Sequence, residues 1–231
     1  MLKYLYILSI LCGPLTSQSQ RVVDVNNDQV NVVALLTVVG KEQVSSAKYV
    51  KVVSGTPYFN EKWMRGAIML KDSSEVANLL LRLDLLANKV EYVSKSGEQL
   101  IVTAPIWKIR LTDSITGEHS YFIHSSAIPV SNVALGWYQI LSQGKVGLYK
   151  KINKDIQENK PYGSATYEQT INTSSQYYLY NGTSFTHIQK FKELPGVLAD
   201  KQTELTRMIK EKGLNGKKDE DYISLITWYN Q

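Results

Sequence analysis

Leu79-Leu80-Leu81-Arg82-Leu83-Asp84-Leu85-Leu86-Ala87-Asn88-Lys89-Val90-Glu91-Tyr92-Val93 decides the fold. From Leu79 to Leu86 the pattern alternates. Leu79, Leu81, Leu83 and Leu85 share one face, and Arg82 and Asp84 the other. A period of two is that of a β-strand, and a charge at every second position suits a half-solvated strand rather than a fully buried helix. Ala87-Asn88 is a tight turn, after which Val90 to Val93 returns as a second strand.

The same pattern extends in both directions. Downstream, Ser94-Lys95-Ser96-Gly97 turns the chain into Leu100–Thr103. Beyond Pro105, Trp107, Ile109 and Leu111 alternate with Lys108, Arg110 and Thr112. Tyr121–His124 is a further strand, and Trp137–Leu141 and Lys145–Lys151 form a hairpin around Ser142-Gln143-Gly144. Asn153–Tyr162 is polar, contains Pro161 and reads as a loop. Ala165–Ile171 and Gln176–Tyr180 read as strands, and Asn181-Gly182 turns into Phe185–Ile188. Upstream, Gly66–Leu70, Val22–Val25 and Val44–Val53 are strand-like. Val30–Val39 fits either a strand or a buried helix, because periodicity alone does not separate them. Consecutive short strands joined by polar turns imply antiparallel hairpins and leave no room for crossover helices.

The pattern changes near Phe191. Leu198, Leu205, Met208 and Ile209 follow helical spacing up to Gly213. Asp219-Glu220-Asp221 suits a helix N-terminus, and Tyr222, Ile223, Leu225, Ile226 and Tyr229 complete an amphipathic last helix. The expected fold is mainly β (α+β): a curved antiparallel sheet, as an open barrel or sandwich, with a short C-terminal helical pair. Residues 20–189 form the β-rich domain and 190–231 the helical appendage.

The first residues predict an export signal. Lys3 precedes an apolar run from Tyr4 to Leu15, and Thr16-Ser17-Gln18-Ser19-Gln20 offers small residues at alternate positions. Residues 1–19 read as a signal peptide, cleaved after Ser19 or, second, after Ser17. The run is shorter than the ~20 residues of a spanning helix. Cys12, the only cysteine, lies within it and follows Leu11, where a lipoprotein would carry a small residue. A mature chain without it has no disulfide, thiol nucleophile or thiolate ligand.

At 231 residues, 43% hydrophobic and 20% charged, the chain is neither fibrous nor disordered. Its net charge of +5 falls to +4 without residues 1–19. The basic residues are scattered, the densest sets being Lys150-Lys151 with Lys154 and Lys217-Lys218, which argues against nucleic acid as a partner.

No motif assigns chemistry. His119, His124 and His187 lack metal-ligand spacing. His124-Ser125-Ser126 has no GxSxG context, and neither Asp219-Glu220-Asp221 nor Asp113 with Glu118 makes a convincing acid/base pair. No catalytic, cofactor-binding or metal-binding residue is therefore assigned. Fifteen Tyr against four Phe is the remaining anomaly, and Tyr suits sheet faces and interfaces alike. The candidate contact surface is Tyr58, Trp63, Tyr177, Tyr178 and Tyr180, with sheet packing as the competing role for each.

Several landmarks occur together: the signal peptide, Gly55-Thr56-Pro57-Tyr58-Phe59-Asn60 leading to Trp63, the Leu81–Tyr92 hairpin, Gly144-Lys145-Val146-Gly147-Leu148-Tyr149-Lys150-Lys151, Tyr177-Tyr178-Leu179-Tyr180, and Trp228-Tyr229-Asn230. In combination they resemble a broad set of uncharacterised exported proteins of Bacteroidota. The resemblance spans most of the mature chain. It implies an address in the periplasm or at the outer membrane, and carries no activity and no site residues.

The expected function is that of a non-catalytic exported envelope protein that binds a partner protein or apolar ligand through a curved β-sheet. The alternatives are an enzyme acting on an envelope polymer through unidentified residues and a structural or assembly component. An envelope protein, a lipid or a glycan is the expected partner, without nucleic acid and without a membrane span after signal cleavage.

Overall fold

The computed structural model describes residues 22–24, 42–44, 49, 51–163 and 165–231. The predicted signal peptide, Cys12, the Val30–Val39 run and half of Val44–Val53 lie outside the described residues. The described residues form thirteen strands in one mixed sheet, open at both ends. In chain order these are β1 (Val22–Asp24), β2 (Glu42–Gln43), β3 (Val52–Ser54), β4 (Met64–Leu70), β5 (Glu75–Asp84), β6 (Lys89–Val93), β7 (Gln99–Ile101), β8 (Ile106–Thr112), β9 (His119–His124), β10 (Trp137–Ser142), β11 (Gly147–Asn159), β12 (Glu168–Tyr180) and β13 (Phe185–Ile188). The order across the sheet is β13-β12-β11-β10-β9-β8-β4-β5-β6-β7-β2.

The turns are those the sequence specifies. Asn88 supplies a left-handed residue between β5 and β6, and the Asp113 carboxylate accepts the Ile115 and Thr116 amides between β8 and β9. Two edge pairings depart from the antiparallel expectation: β1 runs parallel to β5, and β3 parallel to β12. These pairs are short and join segments distant in sequence, so no local signal announces them. Gly55 permits the second, since a Cβ there would collide with the Ile171 carbonyl.

One connection sets the curvature. β7 and β8 stand four places apart in the sheet, yet only residues 102–105 separate Ile101 from Ile106. Five Cα steps reach at most ~17–18 Å. Four strand spacings in a flat sheet would need ~19 Å. The sheet must therefore curl until β7 and β8 approach without bonding. Ile68, Leu79, Leu81, Leu83, Tyr92, Leu100, Ile109 and Phe122 pack inside the curl.

The same sheet face continues past Trp137 on β10 to Leu148 and Leu179, where the C-terminal helices cover it. After short helical turns over 191–201 come α1 (Gln202–Lys212) and α2 (Asp219–Tyr229). They bury Leu205, Met208, Leu225 and Ile226 against Val146, Leu148 and Leu179. Gly213 closes α1 in the left-handed conformation. Asp219 does more than favour a helix start: its carboxylate takes Lys150 Nζ at 2.8 Å and the Tyr177 hydroxyl at 2.5 Å, docking α2 onto the sheet. On the reverse face, Tyr138, Tyr149, Ile123 and Ile128 form a third cluster with Tyr178, Tyr180 and Phe185.

The predicted loop at Asn153–Tyr162 is strand as far as Asn159. It pairs in continuous register from Gly147↔Tyr180 to Asn159↔Glu168. Polar side chains bridge across it, as in Asn153 to Gln176 and Lys154 to Thr173, so the hairpin extends without a hydrophobic pattern.

The Asn230 side chain both donates to the Val146 carbonyl and accepts its amide, each at 2.9 Å. We expect Asn230→Ala to cost about 1–3 kcal/mol, because it strands two buried backbone groups. Urea unfolding of the variant measures this, and an unchanged midpoint would show the clasp to be idle.

Candidate functional site

β4 lies between β5 and β8, which places residues from distant parts of the chain in one cross-strand row. Ala67, Arg110, Tyr121 and Ile140 are successive neighbours, and Met69, Lys108, Ile123 and Tyr138 form the adjacent row. Alternation turns both rows to the outside of the curl. Ala67 is too small to fill the space between its neighbours. The result is a half-open cleft of about 300 Å³, with Ala67, Met69, Lys108, Arg110, Tyr121 and Ile140 among its walls and Glu75 and Gln143 also lining it. Tyr121 is 46% exposed. Arg110 approaches Glu75 at 3.7 Å, too far for a hydrogen bond, and Lys108 has no ion pair among the described residues.

A second cleft, of about 420 Å³, opens where residues 102–105 cross the end of the curl. Val90, Ile101, Val102, Ile106 and Trp137 supply apolar walls; Asn88, Thr103, His124 and Ser126 are polar. The indole N–H of Trp137 is buried without an acceptor among the described residues. His124 Nδ1 lies 2.8 Å from Ser126 Oγ and accepts from the Ser126 amide. This contact spans two residues and caps a short helical turn over Ser125–Ala127. His124 donates no hydrogen bond to a carboxylate among the described residues, so the pair lacks the orienting acid of a triad. His119 bonds Thr112 and His187 lies against Tyr178, so the three histidines do not converge.

The five candidate aromatics occupy three places. Tyr58 and Trp63 sandwich the Arg82 guanidinium, whose carbon is 4.0 and 4.3 Å from their ring centroids. Tyr177 stacks on Tyr222 at 3.8 Å under α2. Tyr178 and Tyr180 lie on the opposite face, against Phe185.

Arg82 and Asp84 are not solvated as their alternation suggests. Asp84 and Glu91 are each only 3% exposed. The chain ahead of β4 folds across them. Phe59 N donates to the Leu83 carbonyl and Leu85 N to the Pro57 carbonyl, which turns Phe59 into the core and Tyr58 outward over Arg82. Arg82 Nε and Nη2 bond one Glu91 oxygen at 2.9 and 2.7 Å, and Asp84 takes the Tyr49 hydroxyl at 2.6 Å and the Ala87 amide at 2.7 Å. Burial pushes the Glu91 carboxyl above its ordinary range despite the opposing pull of Arg82. Both carboxylates and the guanidinium have partners among the described residues, which marks the network as a fastening.

Sequence reasoning missed both clefts. A faint signal existed for the outer one, since Lys108 and Arg110 alternate on a strand whose paired neighbours are apolar, but that pairing follows only from the strand order.

No known protein family, curated protein or solved structure matches this chain. No helix among the described residues is long and apolar enough to cross a membrane.

Two outcomes are expected. Arg82→Met leaves Glu91 buried and unpaired and should cost about 3–5 kcal/mol, whereas Arg82→Met with Glu91→Leu should recover most of that loss. Urea unfolding of both variants distinguishes a buried pair from an incidental one. Burial also holds the His124 imidazole below its ordinary pKa. The folded state therefore prefers neutral His124, and its contribution to stability is lost as pH falls through that lowered value. The unfolding midpoint should drop as pH falls below the ordinary imidazole pKa of about 6.5, and by less in His124→Asn.

Proposed function

We propose that this chain is a non-catalytic protein of the bacterial cell envelope, exported by its N-terminal signal, that binds an apolar ligand through the outer face of its curved sheet. The observation that carries the reading is the cleft between the rows of Ala67 and Met69, with Ile140 and the exposed Tyr121 beside it. Small-ligand sites are concave, mostly apolar and furnished with few polar groups, and this cleft meets that description at the small end of the size range. The address rests on the signal-like residues 1–19 and on the resemblance to exported proteins of Bacteroidota.

A partner protein is the second reading. It is favoured by the far end of the β11–β12 hairpin, where Tyr162 is fully exposed and Tyr167 largely so.

Native mass spectrometry of the chain expressed in a Gram-negative host tests the first reading. The expected species is a periplasmic chain beginning at Gln20 or Gln18 that retains, or takes up on addition, one apolar molecule. A chain held in the cytoplasm at full length would overturn the address, and a periplasmic chain that takes up no apolar molecule would overturn the binding reading.

A further inference from the structure

We infer that the outer cleft is selective for a free single-chain amphiphile with an anionic head, the head lying against Lys108 and Arg110 and the chain along Ala67, Met69 and Ile140. The inference rests on the binding reading above and specifies the ligand's chemistry.

Cations on an exposed strand are commonly offset by acids directly across the ladder. Here they are not. The cross-strand neighbours of Lys108 are Met69 and Ile123, and those of Arg110 are Ala67 and Tyr121. Apart from Glu75 and Gln143, the two positive charges thus stand in an apolar and aromatic part of the face. They are two residues apart on the same side of β8, ~7 Å along the strand, so both can reach one oxyanion placed between them. Glu75 is the carboxylate in the cleft wall, and it meets Arg110 only at 3.7 Å. An incoming carboxylate or phosphate could bond both cations without first breaking a hydrogen-bonded pair.

The apolar part sets the other half of the ligand. A cleft of about 300 Å³, open along one side, suits one short chain better than the two chains of a membrane lipid. Arg65 reinforces the sign of the field: it is exposed on the same side of β4, and no ion pair holds it among the described residues. The cleft therefore presents a positive margin to an apolar trough, the complement of a fatty-acid-like molecule.

Isothermal titration calorimetry of the mature chain with decanoate, decyl phosphate and 1-decanol at neutral pH tests this, with sedimentation on phosphatidylglycerol vesicles as a companion. We expect one site for decanoate and for decyl phosphate, at least about tenfold weaker binding of decanol, and no vesicle binding. The double variant Lys108→Gln/Arg110→Gln should lose at least about tenfold in decanoate affinity while binding decanol as before, with an unchanged unfolding midpoint because both side chains are exposed. Decanol binding as tightly as decanoate would overturn the charge selectivity and leave the apolar-ligand reading standing. Vesicle binding without decanoate binding would overturn the inference in favour of a membrane surface. No binding by any of the three ligands would overturn both.

Discussion

Residues 102–105 impose the constraint on which the rest of the molecule depends. They are too few to cross a flat five-strand sheet, so β8, β4, β5, β6 and β7 curl round a common interior. The curl creates a core without a second sheet, and it gives the strands an outside as well as an inside. The inside is filled by apolar residues from every strand of the curl, mostly Leu and Ile, with Val90 and Tyr92 from β6. The outside of β4, β8, β9 and β10 is left to carry the cleft, and the face that emerges from the curl is sealed further along by α1 and α2.

A second device fastens the edge of the curl. Arg82, Asp84 and Glu91 point outward, as their positions in the strand require, and the segment leading into β4 is laid over them. Tyr58 and Trp63 close on the guanidinium while Phe59 enters the core, so one short stretch grips both sides of β5. Buried charge contributes little net stability compared with apolar packing. The packing on Arg82 nevertheless fixes where the covering segment can lie: a shift of one residue would exchange Tyr58 with Phe59, taking the Tyr58 ring off the guanidinium and Phe59 out of the core.

The strands from Met64 to Thr112 and the two C-terminal helices were legible because each carries a period in its own residues: two for Leu79–Leu85, near 3.6 for Leu205–Ile209. The depth of Asp84 and Glu91 was not, since alternation reports only which side of a strand a residue occupies, and what covers that side comes from Tyr49, Tyr58 and Trp63, far off in sequence. The length of the β11–β12 hairpin was hidden for a different reason. Its outer half is held by backbone bonds and by pairs such as Lys154 with Thr173, and such pairs leave no apolar rhythm to read. The outer cleft exists only because β4 and β8 are neighbours, an arrangement that no local pattern encodes. The Tyr-rich composition pointed to sheet faces in general, and the structure distributes those rings among a fastening, a helix dock and a reverse-face cluster.

The placement of β4 between β5 and β8 also has a consequence for the growing chain. β5 can fold back on β4 as soon as the turn at 71–74 has been made, but the other edge of β4 stays open until β8 exists, some 40 residues later. At ribosomal speeds of ~5–20 residues per second, that is an interval of ~2–8 s. Throughout it, the nascent polypeptide presents an unpaired β-edge beside a half-made core, and long-range closure of this kind is slow even once the partner strand is present. The molecule thus has a built-in delay between synthesis and compaction, during which it remains a thread that a chaperone or a translocation channel can still hold.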